Sequence, residues 1–314
     1  MKFFRTVTLQ LWKSWVGRQV VTTQTGSKII TFDNILFATD FSRQSNVALP
    51  FALSIAHKYA SKILAVHVIA PPPLGNFPTI EMQALAAQAL REAHESVKKL
   101  ERRLGAIPHQ TELRKGDIWN ELSTLTKEKN VDLIVLGTHG RAGVSKFLIG
   151  SVAERIFRQS TCPVLTVGPN VSGEPGSIAD IHTILCPIDF TAESLAAFPY
   201  AVSLAQENQA RLYLMNVVPT PVLDYEEASL TARLKALVPP EANLWCEPKA
   251  FVESGDPGDR ILEQAEELGI DLIVLGIRPV STLAGTRTHL GTATAYKVVS
   301  RAICPVLSVR GEAR

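Results

Sequence analysis

The chain has 314 residues, enough for two domains of ordinary size. Its 46% hydrophobic and 20% charged residues match a soluble globular protein, and a net charge of +2 excludes a strong bias toward polyanions. No basic stripe interleaved with aromatics and no zinc-finger spacing occurs, which argues against a nucleic-acid partner.

Residues 1–31 contain Lys2, Arg5, Lys13, Arg18 and Lys28, no acidic residue, and a scatter of apolar side chains such as Phe3, Trp12 and Trp15. The longest uncharged stretch is too short to span a bilayer, and no continuous apolar core with a cleavage site follows it. No integral membrane segment is expected. A surface-lying amphipathic helix, a docking arm and a flexible leader all fit, and the flexible leader is favoured.

Asn34 to Thr39 reads as a first buried strand, with Asp40-Phe41-Ser42 at its carboxyl end. Ser42 or Asp40 can cap the helix that follows, to about Tyr59. Ile63 to Ile69 is a second strand, closed by Pro71-Pro72-Pro73. A long amphipathic helix spans Ile80 to Leu104, with the run Lys98 to Arg103 as a solvated face. A third strand ends near Lys115-Gly116, and Asp117 caps a helix to about Lys129.

The stretch from Val131 to Ser151 carries the chemistry. Leu133-Ile134-Val135-Leu136 is a short β-branched run of the kind buried on both sheet faces. Gly137, Gly140, Gly150 and Ser151 follow with the spacing G-x2-G-x9-G-S, and then a helix-like segment from Val152. Glycines let backbone N–H groups approach an anion, and a helix start adds unpaired donors and a positive dipole end. Ser151 adds a hydroxyl, and His139, Arg141 and Lys146 add positive or protonatable groups. The pattern fits a phosphate cradle, although neither GxxxxGK[ST] nor GxGxxG is present.

A second half repeats these landmarks in order. Ile35 to Ser42 aligns with Ile184 to Thr191, Val131 to Gly137 with Ile270 to Gly276, and Thr161 to Val167 with Ile303 to Val309. The expected layout is an extension over 1–31, a domain over 32–168, a linker over 169–180 and a domain over 181–310. The span from Asp189 to Gly255 is ten residues shorter than that from Asp40 to Gly116, so the second helix should be shorter there. Pro257 suits the first turn of the third helix. Cys162 and Cys304 occupy matching positions, and with Cys186 and Cys246 they form no CxxC pair. Buried free thiols in a reducing cytoplasm are expected.

The glycine spacing directly after an LIVLG strand, duplicated in tandem, resembles the universal stress protein family over about residues 32–310. The residue pattern itself predicts an α/β fold, with parallel sheets covered on both faces. The resemblance implies two tandem open five-stranded sheets of order 3-2-1-4-5, a fold similar to adenine-nucleotide alpha hydrolases. That order puts a ligand crevice between strands 1 and 4, where Asp40 and Gly137 face one another. The resemblance further implies ATP, with Mg2+ in attendance. Asp40 would contact the adenine-ribose part, the backbone of Val68 the adenine, and Gly137, Gly140, Gly150, Ser151 and Val152 the ribose and phosphates, with Arg141 in the loop beside them. Ala38 stands where many members have proline.

In the second half the position equivalent to Gly140 is Pro279, which lacks an N–H, and the spacing to Gly291-Thr292 is longer. A pseudo-domain without the cradle is expected there. No nucleophile–base pairing or metal cluster stands out, so a binding module with at most weak ATPase activity is expected. The function implied is a cytoplasmic, nucleotide-dependent stress-response regulator, and the alternative is a nucleotide-free scaffold. The apolar last strands, Val164 to Val167 and Val306 to Val309, should pair within the chain as a pseudo-dimer, with homodimers of such units as a further level.

Overall fold

The structure is a computed structural model and describes residues 30–70, 80–138, 149–172, 178–244, 246–278 and 290–311. The first half runs β1 (Asn34–Ala38), α1 (Arg43–Tyr59), β2 (Lys62–Ile69), α2 (Ile80–Leu104), β3 (His109–Lys115), α3 (Ile118–Glu128), β4 (Leu133–Gly137), α4 (Ser151–Gln159) and β5 (Val164–Val167). The second runs β6 (Thr183–Pro187), α5 (Ala192–Asn208), β7 (Arg211–Val218), α6 (Asp224–Leu237), β8 (Lys249–Ser254), α7 (Pro257–Glu267), β9 (Leu272–Ile277), α8 (Leu290–Arg301) and β10 (Val306–Arg310), with a 3-10 turn at Pro240–Leu244.

Each half keeps the order 3-2-1-4-5, but the two sheets are not separate. They form one ten-stranded sheet, β3-β2-β1-β4-β5-β10-β9-β6-β7-β8. Within each half the neighbours run parallel, whereas β5 and β10 are antiparallel. Two like edge strands related by a two-fold rotation run antiparallel to one another. The register has that symmetry, because Leu165 faces its own counterpart Leu307, while Thr166 faces Val306 and Val164 faces Ser308. Thr166 Oγ1 also donates to the Val306 carbonyl at 3.1 Å.

Alternation along each strand divides the core in two. Ile35 and Phe37 join α1, α2, α5 and α6 on one face, and Leu36 joins α3, α4, α7 and α8 on the other. Each of these apolar layers draws residues from both halves. Burial on two faces is why the strands read as unbroken apolar runs.

Helix starts follow their local chemistry. Ser42 and Thr191 accept from the Ser45 and Ser194 N–H groups, each at 3.3 Å. Asp117 and Asp256 do the same for Asn120 and Asp259, each at 3.0 Å, and Pro257 occupies the first turn of α7. Two expectations need correction. Arg103 leaves the solvated face of α2, is half-buried, and donates to Asn46 Oδ1 at 2.6 Å. Of the four free cysteines, Cys162 is only half-buried.

Candidate functional site

The chain turns sharply where β1 ends. Phe41 lies in the left-handed region with φ of 60°, and its repeat counterpart Phe190 does the same. That conformation costs a non-glycine residue about 1–2 kcal/mol. It is held by surrounding bonds, as strained turns must be. The Phe41 N–H donates to Thr39 Oγ1 at 3.0 Å, and the Ser42 N–H to Asp40 Oδ1 at 2.9 Å. The Phe41 ring rests on the His67 ring, with centroids 4.7 Å apart. The turn carries the chain away from the sheet and leaves β2 overhanging.

This overhang matters. The Thr39 N–H donates to the Val66 carbonyl at 2.9 Å, so the backbone groups of Val66 face β1. Strand alternation turns those of Val68 the same way, past the end of β1. Ile69 confirms the phase, since its carbonyl accepts from Gly116 on the opposite side at 3.1 Å.

A cavity of about 210 Å³ opens there, at the carboxyl ends of β1, β2 and β4. Its inner wall is apolar, built from Val66, Leu136, Ile118, Leu122 and Ile156. Asp40, His67 and Thr138 supply polar groups, and the start of α4 closes one side. The first N–H groups of α4, at Ser151, Val152 and Ala153, have no acceptor within the helix, because the ladder begins with Glu154 donating to Gly150 at 2.8 Å.

Ala38, Asp40, Val68, Gly137, Gly150, Ser151 and Val152 all line this cavity. Gly140 and Arg141 lie outside the described residues, as do His139 and Lys146. Two glycines have reasons other than anion access. A Cβ on Gly137 would stand 2.9 Å from the Gln44 carbonyl carbon and 3.0 Å from the Ser45 nitrogen, so glycine here lets α1 lie against β4. The Gly150 N–H is already spent on the Thr138 carbonyl at 2.8 Å, and a Cβ there would meet the same oxygen at 3.1 Å. That bond brings Thr138 and Gly150 together at the cavity rim.

His67 and Thr39 also line the cavity, though no motif marks them in the sequence. His67 Nδ1 lies 2.7 Å from the Thr39 carbonyl. A lone histidine inside an apolar strand carries no local signal of this contact. In the second half Gly276 repeats the role of Gly137, since a Cβ there would run into the Glu193 carbonyl. Pro279, Arg287 and His289 lie outside the described residues. Helix α8 starts at Leu290, just before Gly291-Thr292. Among the described residues no cluster of three or more His, Cys, Asp or Glu side chains could hold a metal ion.

The profile of the universal stress protein family matches residues 31–168 and again 180–310. A universal stress protein of Methanocaldococcus jannaschii is 34% identical over 140 residues, covering 43% of this chain and 82% of its own. A putative universal stress protein of Staphylococcus aureus strain USA300 is 30% identical over 142 residues, covering 44% of this chain and 86% of its own. Among solved structures, a universal stress protein from Archaeoglobus fulgidus superposes with a TM-score of 0.69 at 22% identity, covering 90% of this chain and 99% of that one. At that identity the likeness concerns the fold.

Proposed function

The chain belongs to the universal stress protein family, and on that premise we propose that its first half binds ATP and acts as a nucleotide-dependent switch in a stress response. One observation carries the reading: an apolar cavity lies between a backbone edge at Val68 and the open N-terminus of α4. A polar edge and an apolar wall suit the base, Asp40 beside them suits the sugar, and the helix start suits phosphate.

The cavity of about 210 Å³ is below the roughly 300–1,000 Å³ that encloses a whole drug-sized ligand. It therefore seats the base and leaves the tail outside. The Val68 amide and carbonyl meet the polar edge of adenine, against Ala38 and the apolar wall. Asp40 takes the ribose. The Ser151 and Val152 amides and the Ser151 hydroxyl take phosphate, joined by Gly140 and Arg141 from the loop. Gly137 and Gly150 act by shaping the site. Mg2+ arriving with the tail draws most of its ligands from phosphate and water, which suits a site without a carboxylate cluster.

The nucleotide-free scaffold keeps specific support, because packing alone accounts for Gly137 and Gly150. Under either reading the unit of action is the paired chain, with residues 32–168 and 181–310 as its two domains. Among the described residues no helix is long and apolar enough to cross a membrane. Four unpaired thiols suit a reducing compartment, and we place the protein in the cytoplasm.

Calorimetric titration with ATP tests the proposal on the wild type, Ala38→Phe, Asp40→Ala and Gly140→Pro. Binding should be lost in Ala38→Phe, where the introduced ring fills the cavity, and weakened in the other two. Undiminished binding by Ala38→Phe moves the site elsewhere, and no binding by the wild type leaves the scaffold.

A further inference from the structure

Helix α4, whose start borders the cavity, is held at both ends by the other half of the chain. Just before its N-terminus the Ile149 N–H donates to the hydroxyl of Tyr296, on α8, at 3.3 Å. Near its C-terminus Arg310, at the end of β10, donates through Nη2 to the Phe157 carbonyl at 2.6 Å.

Among the described residues the internal two-fold returns neither contact. The counterpart of Arg310 is Gly168, which has no side chain and packs directly on α8; a Cβ there would stand 3.4 Å from the Val299 carbonyl oxygen. For Tyr296 the counterpart follows from a pair of matching ion pairs. Arg155 lies 3.7 Å from Asp117, and Lys297 lies 2.9 Å from Asp256 at the same point of the second half. Tyr296 therefore corresponds to Glu154, which turns to Arg158 on its own helix at 2.9 Å. Among the described residues the clamp runs one way, from the second half onto the first.

We propose that the second half is a positioning subunit for the first-half site, with the Tyr296 hydroxyl setting the aim of the α4 N-terminus. The proposal deepens the ATP reading above and rests on it for its ligand. The segment entering α4 is pinned by two bonds only one residue apart: Ile149 N–H to Tyr296 and Gly150 N–H to the Thr138 carbonyl. With one bond the segment can pivot about the other. With both it cannot, and the Ser151 and Val152 amides are fixed in direction. Pre-set donors bind an anion better than donors that must first be ordered.

The test is Tyr296→Phe in the full chain, which removes the acceptor and keeps the ring. Titrations with ATP and with adenosine are compared, and amide exchange is followed in the ligand-free protein. Loss of one hydrogen bond should raise the ATP dissociation constant about threefold to tenfold. Adenosine affinity should be unchanged, and exchange should quicken at residues 149–153. Equal weakening of ATP and adenosine, or unaltered exchange, overturns the proposal. Should the wild type bind no ATP, the nucleotide reading fails separately. Exchange then decides alone: unchanged rates overturn the clamp, and faster rates uphold it as a positioning contact without that ligand.

Discussion

His67 and Asn216 perform one task at equivalent points of the two halves. His67 Nδ1 lies 2.7 Å from the Thr39 carbonyl, and Asn216 Nδ2 donates to the Ile188 carbonyl at 2.6 Å. A carbonyl oxygen only accepts, so His67 carries its proton on Nδ1. The duplication has thus already tried asparagine at this place. His67→Asn should unfold at nearly the wild-type urea concentration, whereas His67→Leu should lose about 1 kcal/mol with the bond. Equal midpoints for the two variants would remove the donor role.

The glycines that end β4 and β9 make a second test. Gly137→Ala forces the start of α1 away from the sheet, and Gly276→Ala does the same to α5. Each should cost roughly 1–3 kcal/mol in denaturant unfolding. The second should cost more, because both Cβ atoms would meet backbone and the one on Gly276 would overlap the Glu193 carbonyl more closely than the 2.9 Å approach at Gly137. A null effect at Gly276 would mean that α5 is not seated as described.

Asp132 holds the entrance to β1, accepting from the Asp33 N–H at 2.9 Å and the Asn34 N–H at 3.1 Å. Asp271 repeats the clamp on His182 at 2.8 Å and Thr183 at 2.9 Å. Asp132→Ala leaves two backbone donors without this acceptor. Destabilisation of about 1–3 kcal/mol is expected, with faster amide exchange at residues 33 and 34. Asp132→Asn, which keeps one acceptor oxygen, should fall between.

Lys297 lies 2.9 Å from Asp256 and 2.6 Å from Asp259. Its hydrogen bond holds the Asp256 carboxyl below the usual carboxylate range. A depressed pKa contributes stability above the unfolded value and loses it as pH falls through the folded one. Lys297→Met should therefore raise the Asp256 titration midpoint toward that of a free aspartate, followed by NMR. Because the pair is exposed, high salt should shrink the difference. An unmoved midpoint would show that the pair does not persist in solution.

Much of this was legible in the sequence, for local reasons. Helix α2 spans Ile80–Leu104 as its periodicity requires. The second half's counterpart of α2 is shorter, as the spacing requires: α6 has 14 residues against 25 for α2. Ser42 and Asp40 were alternatives for one cap, and both act, Ser42 on Ser45 and Asp40 on Ser42. What stayed hidden depends on partners distant in the chain. The spacing of Gly137 and Gly150 marks the loop, but their roles are set by Gln44 and Thr138, which no spacing names. Arg103 sits in a charge run, yet a helix turns 100° per residue and cannot hold six consecutive side chains on one face. Tyr296 meets Ile149 across 147 positions, and nothing near either residue announces it.

The Leu165–Leu307 seam has a consequence for how the molecule responds to dilution. Two separate chains joined along such an edge would part as their concentration fell, by mass action. Here the tether keeps each partner at a high effective concentration whatever the amount of protein. If the seam parts, the halves remain on one chain and re-pair irrespective of dilution. A copy secured in that manner can drift at its own crevice without losing its place, so long as β10 continues to fit β5.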